Sequence, residues 1–206
     1  IRSAYLTGDG DAKFIACHQP LFLETHDLLV HAAPGAVFLL NTHLSTEKIW
    51  ATLPAKMQRQ MIEKDIQFYT IDAYQVALEA DMGRRINTVM QTCFFAISGI
   101  LPQEDAITAI KHAAEKTYGR KGRRTAELHH RAIDKTPARP NKVVVPTDLA
   151  AINEEVHAIA SKEVTEFVRR LTLPLIAGKG DSLPVSLFPV DGTWPTGTAK
   201  YEKRNL

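Results

Sequence analysis

Gly83-Arg84-Arg85-Ile86-Asn87-Thr88 gathers two guanidiniums, a carboxamide and a hydroxyl into one short stretch. Behind it runs Val89-Met90-Gln91-Thr92-Cys93-Phe94-Phe95, a helix that is apolar nearly all round and therefore buried. The start of such a helix presents free N–H groups and a partial positive charge, so polar residues at its mouth are placed to hold a phosphate-bearing ligand. A plainer account uses the same residues. Asn87 or Thr88 caps the helix, and Arg84 and Arg85 pair with surface carboxylates. On the residues alone, the plainer account is slightly ahead.

Other candidates carry less. Gly8-Asp9-Gly10 fails as a dinucleotide fingerprint, because position 13 is Lys and a strand follows instead of a helix; it reads as a turn. Asp72, at a strand end, could contact a ribose, and a turn or cap role suits it at least as well. The eight histidines (18, 26, 31, 43, 112, 129, 130 and 157) include no pair at zinc-motif spacing beside cysteines. His18 follows a strand, where ligands collect in α/β folds, but ordinary hydrogen bonding is the better reading. Cys93 lies in an apolar helix whose surroundings raise its pKa, which makes it a core residue. The basic run Gly119-Arg120-Lys121-Gly122-Arg123-Arg124 is a solvated hinge before it is a phosphate contact. No Ser/His/Asp or Cys/His arrangement has a supporting context. No catalytic residue and no metal ligand is assigned.

The bulk composition bounds the rest. The 206 residues suit one domain with an appendage, and 45% hydrophobic with 23% charged residues is ordinary for a soluble globular chain. A net charge of +2 gives no case for nucleic acid or an anionic membrane, and the apolar runs fall short of a bilayer span. Two cysteines, Cys17 and Cys93, fit a reducing cytoplasmic setting and are too few for a cluster that usually takes four thiolates. The chain starts at Ile1 as a strand and stops in polar sequence, which reads as a piece of a longer polypeptide.

The elements that must position these residues alternate. Ile1–Thr7, Ala12–Cys17, Ala36–Asn41 and Gln67–Asp72 read as strands. Pro20–Ala33 reads as a helix ended by Pro34-Gly35, and Ser45 can cap a helix through Ile49, Trp50 and Leu53 that Pro54 breaks before Met57 and Met61. Strand, helix, strand, helix, strand predicts an α/β fold, a Rossmann-like open parallel sheet with flanking helices. A helical region follows: one helix to Gly99, one from Pro102, and one after the basic hinge through Asp134. Pro137–Pro146 reads as a linker or extended arm. A helix then starts at Asp148 or Asn153 and ends near Leu173-Pro174, before an irregular Gly/Pro-rich arm. Leu183, Val185, Leu187, Phe188, Val190 and Trp194 give that arm too many apolar groups for a free tether, so it is expected to lie fixed on neighbouring surface.

Gly83 to Gln91, with one extra Arg, resembles the Gly-Arg-Ile-Asn-Thr-(Val/Ile)-Met-Gln motif of the gamma-type domain of pyruvate:ferredoxin (flavodoxin) oxidoreductases. A second block is similar as well: Gly180-Asp181-Ser182-Leu183-Pro184-Val185-Ser186 through Asp191-Gly192-Thr193-Trp194-Pro195 to Tyr201-Glu202-Lys203-Arg204-Asn205. Cys17-His18-Gln19, Gly35–Asn41 and Phe68–Ala73 look like the family's strands. The resemblance implies residues 1–136 as a gamma-type domain lacking its N-terminal part, and 137–206 as linker, helix and arm leading toward an iron–sulfur domain. It implies a whole enzyme that oxidatively decarboxylates pyruvate, or a related 2-oxoacid, with coenzyme A. Thiamine diphosphate with Mg and 4Fe–4S clusters would be bound outside this stretch. Implied partners are the enzyme's other domains, ferredoxin or flavodoxin, and a second copy in a homodimer; neither nucleic acid nor membrane is expected.

The gamma-type domain is associated with coenzyme A, and the contact carried over by the resemblance is Asn87, with Arg85 as a weaker contact or structural pair. Three departures stand out. The family's Gly-rich phosphate turn would lie before Ile1, so this stretch is expected to lack part of the sheet and of any coenzyme A site; Arg84 sits where the family tends to have a small or different residue; and Leu128-His129-His130 stands where the family commonly shows a Met-Asn or similar polar pair, which weakens any coenzyme contact from that helix. The rival expectation is a purely structural, subunit-docking module.

Overall fold

The computed structural model describes residues 8, 10–119, 122–148, 165–176 and 180–201. In chain order its elements begin β1 (Ala12–Cys17), α1 (Phe22–Thr25), β2 (Ala32–Asn41), α2 (Thr46–Thr52), α3 (Ala55–Glu63) and β3 (Gln67–Ile71). They continue as α4 (Ala73–Glu79), α5 (Asn87–Ser98), α6 (Gln103–Tyr118), α7 (Arg123–Lys135), β4 (Asn141–Lys142) and α8 (Leu173–Ile176). The sheet order is β1-β2-β3-β4, with β1, β2 and β3 parallel and β4 antiparallel to β3.

Alternation along β2 builds both faces of the core. Phe38 and Leu40 point one way and Leu39 the other, and all three are fully buried. On the first face Ile49 and Leu53, with Met57 and Met61 of α3, close over Phe38, Leu40 and Phe68. On the second, Leu39 and Ile71 meet α4, α5 and Ala132 of α7. A strand buried on both faces reads as a continuous apolar run, as Val37-Phe38-Leu39-Leu40 does. α6 forms an outer layer, packing Ile110 and Ala114 against Ile133. The α/β reading of the sequence holds.

One expected helix does not form. Pro20–Ala33 yields only the four residues of α1, and Pro34-Gly35 lies inside β2 instead of ending a helix. Tertiary contacts explain this. The Lys64 ammonium donates to the carbonyls of Leu29 (2.7 Å), Val30 (3.0 Å) and Ala32 (3.0 Å), holding the segment in turns. Gly35, at φ +73°, gives its N–H to the Lys64 carbonyl at 2.7 Å. The register slips there: Ala12 pairs Ala32, but Phe14 pairs Val37.

The Pro54 break between α2 and α3, the left-handed Gly99 after α5 and the Pro102 start of α6 match the sequence. Part of the 137–146 arm joins the sheet: Val143 is buried and donates its N–H to the Phe68 carbonyl at 2.9 Å. The strand expected at Ile1–Thr7, the hinge residues Arg120 and Lys121, and most of the helix expected from Asp148 or Asn153 lie outside the described residues. The described end of that helix is π-helical over Val168–Thr172 and runs on through α8. The arm after it is irregular, with 3-10 turns at Gly180–Ser182, Val185–Leu187 and Thr198–Tyr201. Trp194 anchors it edge-on to Phe167, ring centroids 4.9 Å apart.

Candidate functional site

The three parallel strands end on one edge, and in open α/β sheets ligands bind beyond that edge. His18 and Gln19 follow β1, Asn41 ends β2 and Asp72 follows β3. Asn41 ties these ends together from a fully buried position. Its Nδ2 donates to the His18 carbonyl at 3.0 Å, and its Oδ1 accepts the Ala73 N–H at 2.9 Å. Asp72 Oδ1 accepts the Gln75 N–H at 2.9 Å, so Asp72 serves as the cap of α4. Two of the N–H groups that a helix start leaves without intrahelical partners are thereby satisfied.

Outside this edge lies a cleft of about 350 Å³. His18, Gln19 and Tyr74 form one side, with Gln19 Nε2 donating to the Tyr74 hydroxyl at 3.0 Å. The turn Met82–Ile86 and the first residues of α5 form another, and Tyr118 and His129 close it from α6 and α7. Arg84 places its guanidinium 5.8 Å from the Tyr74 ring centroid, and Arg85 donates Nε–H to the Met82 carbonyl at 3.3 Å. Neither arginine pairs with a carboxylate among the described residues. Among the described residues no Asp or Glu lines the cleft. Two guanidiniums and the positive end of a twelve-residue helix give it a positive potential, which can attract an anion.

The capping role that the sequence allowed for Asn87 or Thr88 is not the one found. Ile86 occupies the N-cap position and makes no side-chain capping bond. Asn87 is exposed at the first helical position, its carboxamide without a hydrogen-bond partner among the described residues. Thr88 is buried, and its Oγ1 lies 2.7 Å from Nδ1 of His129. That imidazole stacks on Tyr118, centroids 3.7 Å apart and planes within 7°. Burial lowers the pKa of His129 from the usual histidine value, and the charges of Arg85 and His130 lower it further. Burial lowers that of His18 as well. Burial pushes the Cys17 thiol up to about 11, against a smaller lowering by a backbone hydrogen bond at Gln19, and its S–H donates to the Gln19 carbonyl at 3.0 Å. Cys93 is pushed up to about 12, so neither is a nucleophile at neutral pH.

Asn87 and Arg85, taken from the motif, therefore share one cleft, and Arg84 shares it too. Sequence reasoning missed Gln19, Tyr74, Tyr118 and His129 as lining residues. The first two were within reach, since each closely follows a strand end; Tyr118 and His129 carry no such signal.

A family model described as pyruvate ferredoxin/flavodoxin oxidoreductase matches residues 3–138. The chain belongs to that family. A second model, described as a domain of unknown function, matches residues 153–206. Over its whole length the chain is 46% identical to a pyruvate-flavodoxin oxidoreductase of Rhodospirillum rubrum and 41% identical to a pyruvate:ferredoxin oxidoreductase of Moorella thermoacetica. It spans 17% of the length of each. Among solved structures, pyruvate oxidoreductase subunit PORC of Thermotoga maritima aligns with a TM-score of 0.48 at 16% identity, covering 63% of this chain and 64% of that one. Among the described residues no group of three or more His, Cys, Asp or Glu could hold a metal ion, and no helix is long and apolar enough to cross a membrane.

Proposed function

We propose that this chain is part of a pyruvate (2-oxoacid):ferredoxin/flavodoxin oxidoreductase and that its cleft helps seat coenzyme A. Membership of the family and full-chain identity to proteins named for that activity support the first part. The single observation carrying the second is the exposed Asn87 carboxamide, without a partner among the described residues, at the mouth of a cleft that holds Arg84 and Arg85 and, among those residues, no carboxylate. The whole enzyme would convert pyruvate and coenzyme A to acetyl-CoA and CO2, passing two electrons to ferredoxin or flavodoxin. Thiamine diphosphate with Mg supplies the decarboxylation chemistry and 4Fe–4S clusters carry the electrons, both held in other domains. The two thiols here, buried and protonated, do not suit a cluster. This chain's share is binding and orientation: Asn87 offers a donor and an acceptor to the coenzyme, and Arg85 offers charge to its phosphates. Residues 1–136 would form the gamma-type unit and 137–206 the passage toward a cluster domain, in a cytoplasmic homodimer.

Titrating coenzyme A against the intact enzyme tests this. Asn87→Ala removes one hydrogen bond and should raise Kd and KM for coenzyme A by roughly 3- to 10-fold, with KM for pyruvate unchanged. A loss of pyruvate affinity alone would contradict the reading. An unchanged coenzyme A affinity would favour a docking module instead, a role suited to the arm, where Val185 and Val190 stand 85% and 107% exposed.

A further inference from the structure

We infer that the turn 189–192 of the C-terminal arm is a docking knob, and that Val190 at its tip, with Val185 and Phe188, seats in an apolar pocket of another domain of the same polypeptide. The inference goes beyond the coenzyme A reading and does not depend on it. It rests only on this chain being a stretch of a longer enzyme, which its 17% span of the curated relatives supports.

The arm divides its apolar residues between two duties. Trp194 packs edge-on against Phe167, which precedes the π-helical turn where Val168 and Leu171 are buried. Leu183 and Leu187 are half-buried. These residues hold the arm in place. Val185, Phe188 and Val190 are exposed, and Val190, at 107%, is fully open to water. One exposed apolar side chain needs no explanation, but three so close together on an irregular arm mark a surface that expects a partner.

A free tether would leave such side chains loose, and here the backbone beneath them is locked. The N–H groups of Leu187 and Phe188 donate to the carbonyls of Pro184 and Val185, each at 3.0 Å, and close the 3-10 turn that carries Val185. Gly192, at φ +70°, gives its N–H to the Pro189 carbonyl at 3.1 Å, which leaves Val190 and Asp191 at the centre of a tight turn. Asp191 Oδ1 accepts both the N–H and the hydroxyl of Thr193, at 3.0 and 2.8 Å, and fixes the way out of that turn. Pro184 and Pro189 restrict the backbone ahead of each. Much of the ordering entropy is thus spent before a partner arrives, so a small contact can still be effective.

Size and tethering select the occupant. Three side chains present on the order of a few hundred Å², well short of the about 800 Å² that each partner buries in a stable complex of separate molecules. A second copy or an unlinked protein would gain too little from this face. A domain on the same polypeptide needs less, because linkage holds it at an effective concentration of roughly millimolar. Between Gly180 and Ala199 the charged residues are Asp181 and Asp191, both acidic and both exposed. The pocket is therefore expected to be apolar inside with Lys or Arg at its rim.

The test places an aliphatic diazirine amino acid, close to valine in size, at position 190 of the intact enzyme. Irradiation and mass spectrometry should find a cross-link to apolar residues of the same polypeptide, outside the 206-residue stretch. A cross-link to a second polypeptide, read as a product of doubled mass, would overturn the inference; so would one back into this stretch, or none. Hydrogen–deuterium exchange of the intact enzyme gives a second readout. Val190→Ser leaves the turn intact, because that position of a turn accepts most residues. It should speed exchange of the 183–194 peptide about tenfold, the shift that matches the lower bound for burying one valine. Unchanged exchange would mean that Val190 faces water in the whole enzyme, and the inference would fall. The coenzyme A titration of Asn87→Ala is read separately from both measurements, so either reading can fail while the other stands.

Discussion

Replacing Asn41 should loosen the whole ligand-facing edge of the sheet, although Asn41 itself does not line the cleft. Its carboxamide bridges the His18 carbonyl and the Ala73 N–H, at 3.0 and 2.9 Å, from a residue 1% exposed. Asn41→Ala leaves both groups unpaired. The Ala73 N–H is buried and bears a full desolvation cost, about 1–3 kcal/mol, while the His18 carbonyl is only part-buried and water can relieve it. Loss of the side chain's own packing brings the expected destabilisation to about 2–4 kcal/mol. Asn41→Asp tests the chemistry at nearly constant shape. Its carboxylate can still accept from Ala73, but it turns an acceptor toward the His18 carbonyl and buries a charge. Burial raises the folded-state pKa of that Asp above the unfolded value. Its penalty is therefore absent at low pH and grows as pH rises through about 4, the unfolded carboxylate value. Hydrogen–deuterium exchange of the Asp72–Ala80 peptide in the intact enzyme is the local assay, with coenzyme A Kd as the functional one. Faster exchange and weaker binding in Asn41→Ala are expected, with Asn41→Asp approaching wild-type protection only in acid. Wild-type exchange in Asn41→Ala would refute the reasoning, since no other group then needs Asn41.

Two further predictions follow from single features. Lys64→Met should destabilise the 28–35 segment by about 2–4 kcal/mol, because three carbonyls lose one shared cation; rapid exchange confined to that segment and its β1 neighbour is the sign, and unchanged exchange would mean that the turns hold themselves. Cys17 and Cys93, with thiols pushed up to about 11 and 12, should resist alkylation in the native enzyme at pH 8; mass spectrometry after iodoacetamide checks this, and ready labelling of either would refute its burial.

The sequence by itself determined the α/β class, β1 and β3 nearly to the residue, the β2 core at 36–41, the Pro54 and Gly99 breaks and the motif at the mouth of α5. These are local matters: apolar alternation, proline's missing donor and glycine's left-handed backbone act within a few residues. It failed over Pro20–Ala33, where Leu21, Leu28 and Leu29 suggest a helix. What prevents one is Lys64, more than thirty residues away and invisible to any local pattern. The site divides the same way. Asn87 and Arg85 were legible because the motif is contiguous. Gln19 comes from the loop after β1 and Tyr74, Tyr118 and His129 from α4, α6 and α7, and only the packing of α4, α5 and α7 on the sheet, with α6 laid on α5 and α7, makes them neighbours. The pairing of Thr88 with His129 joins residues that a linear reading assigned to a cap and to a weakened contact. Tertiary packing decided both, because a side chain with two hydrogen-bonding options takes the one that burial leaves it.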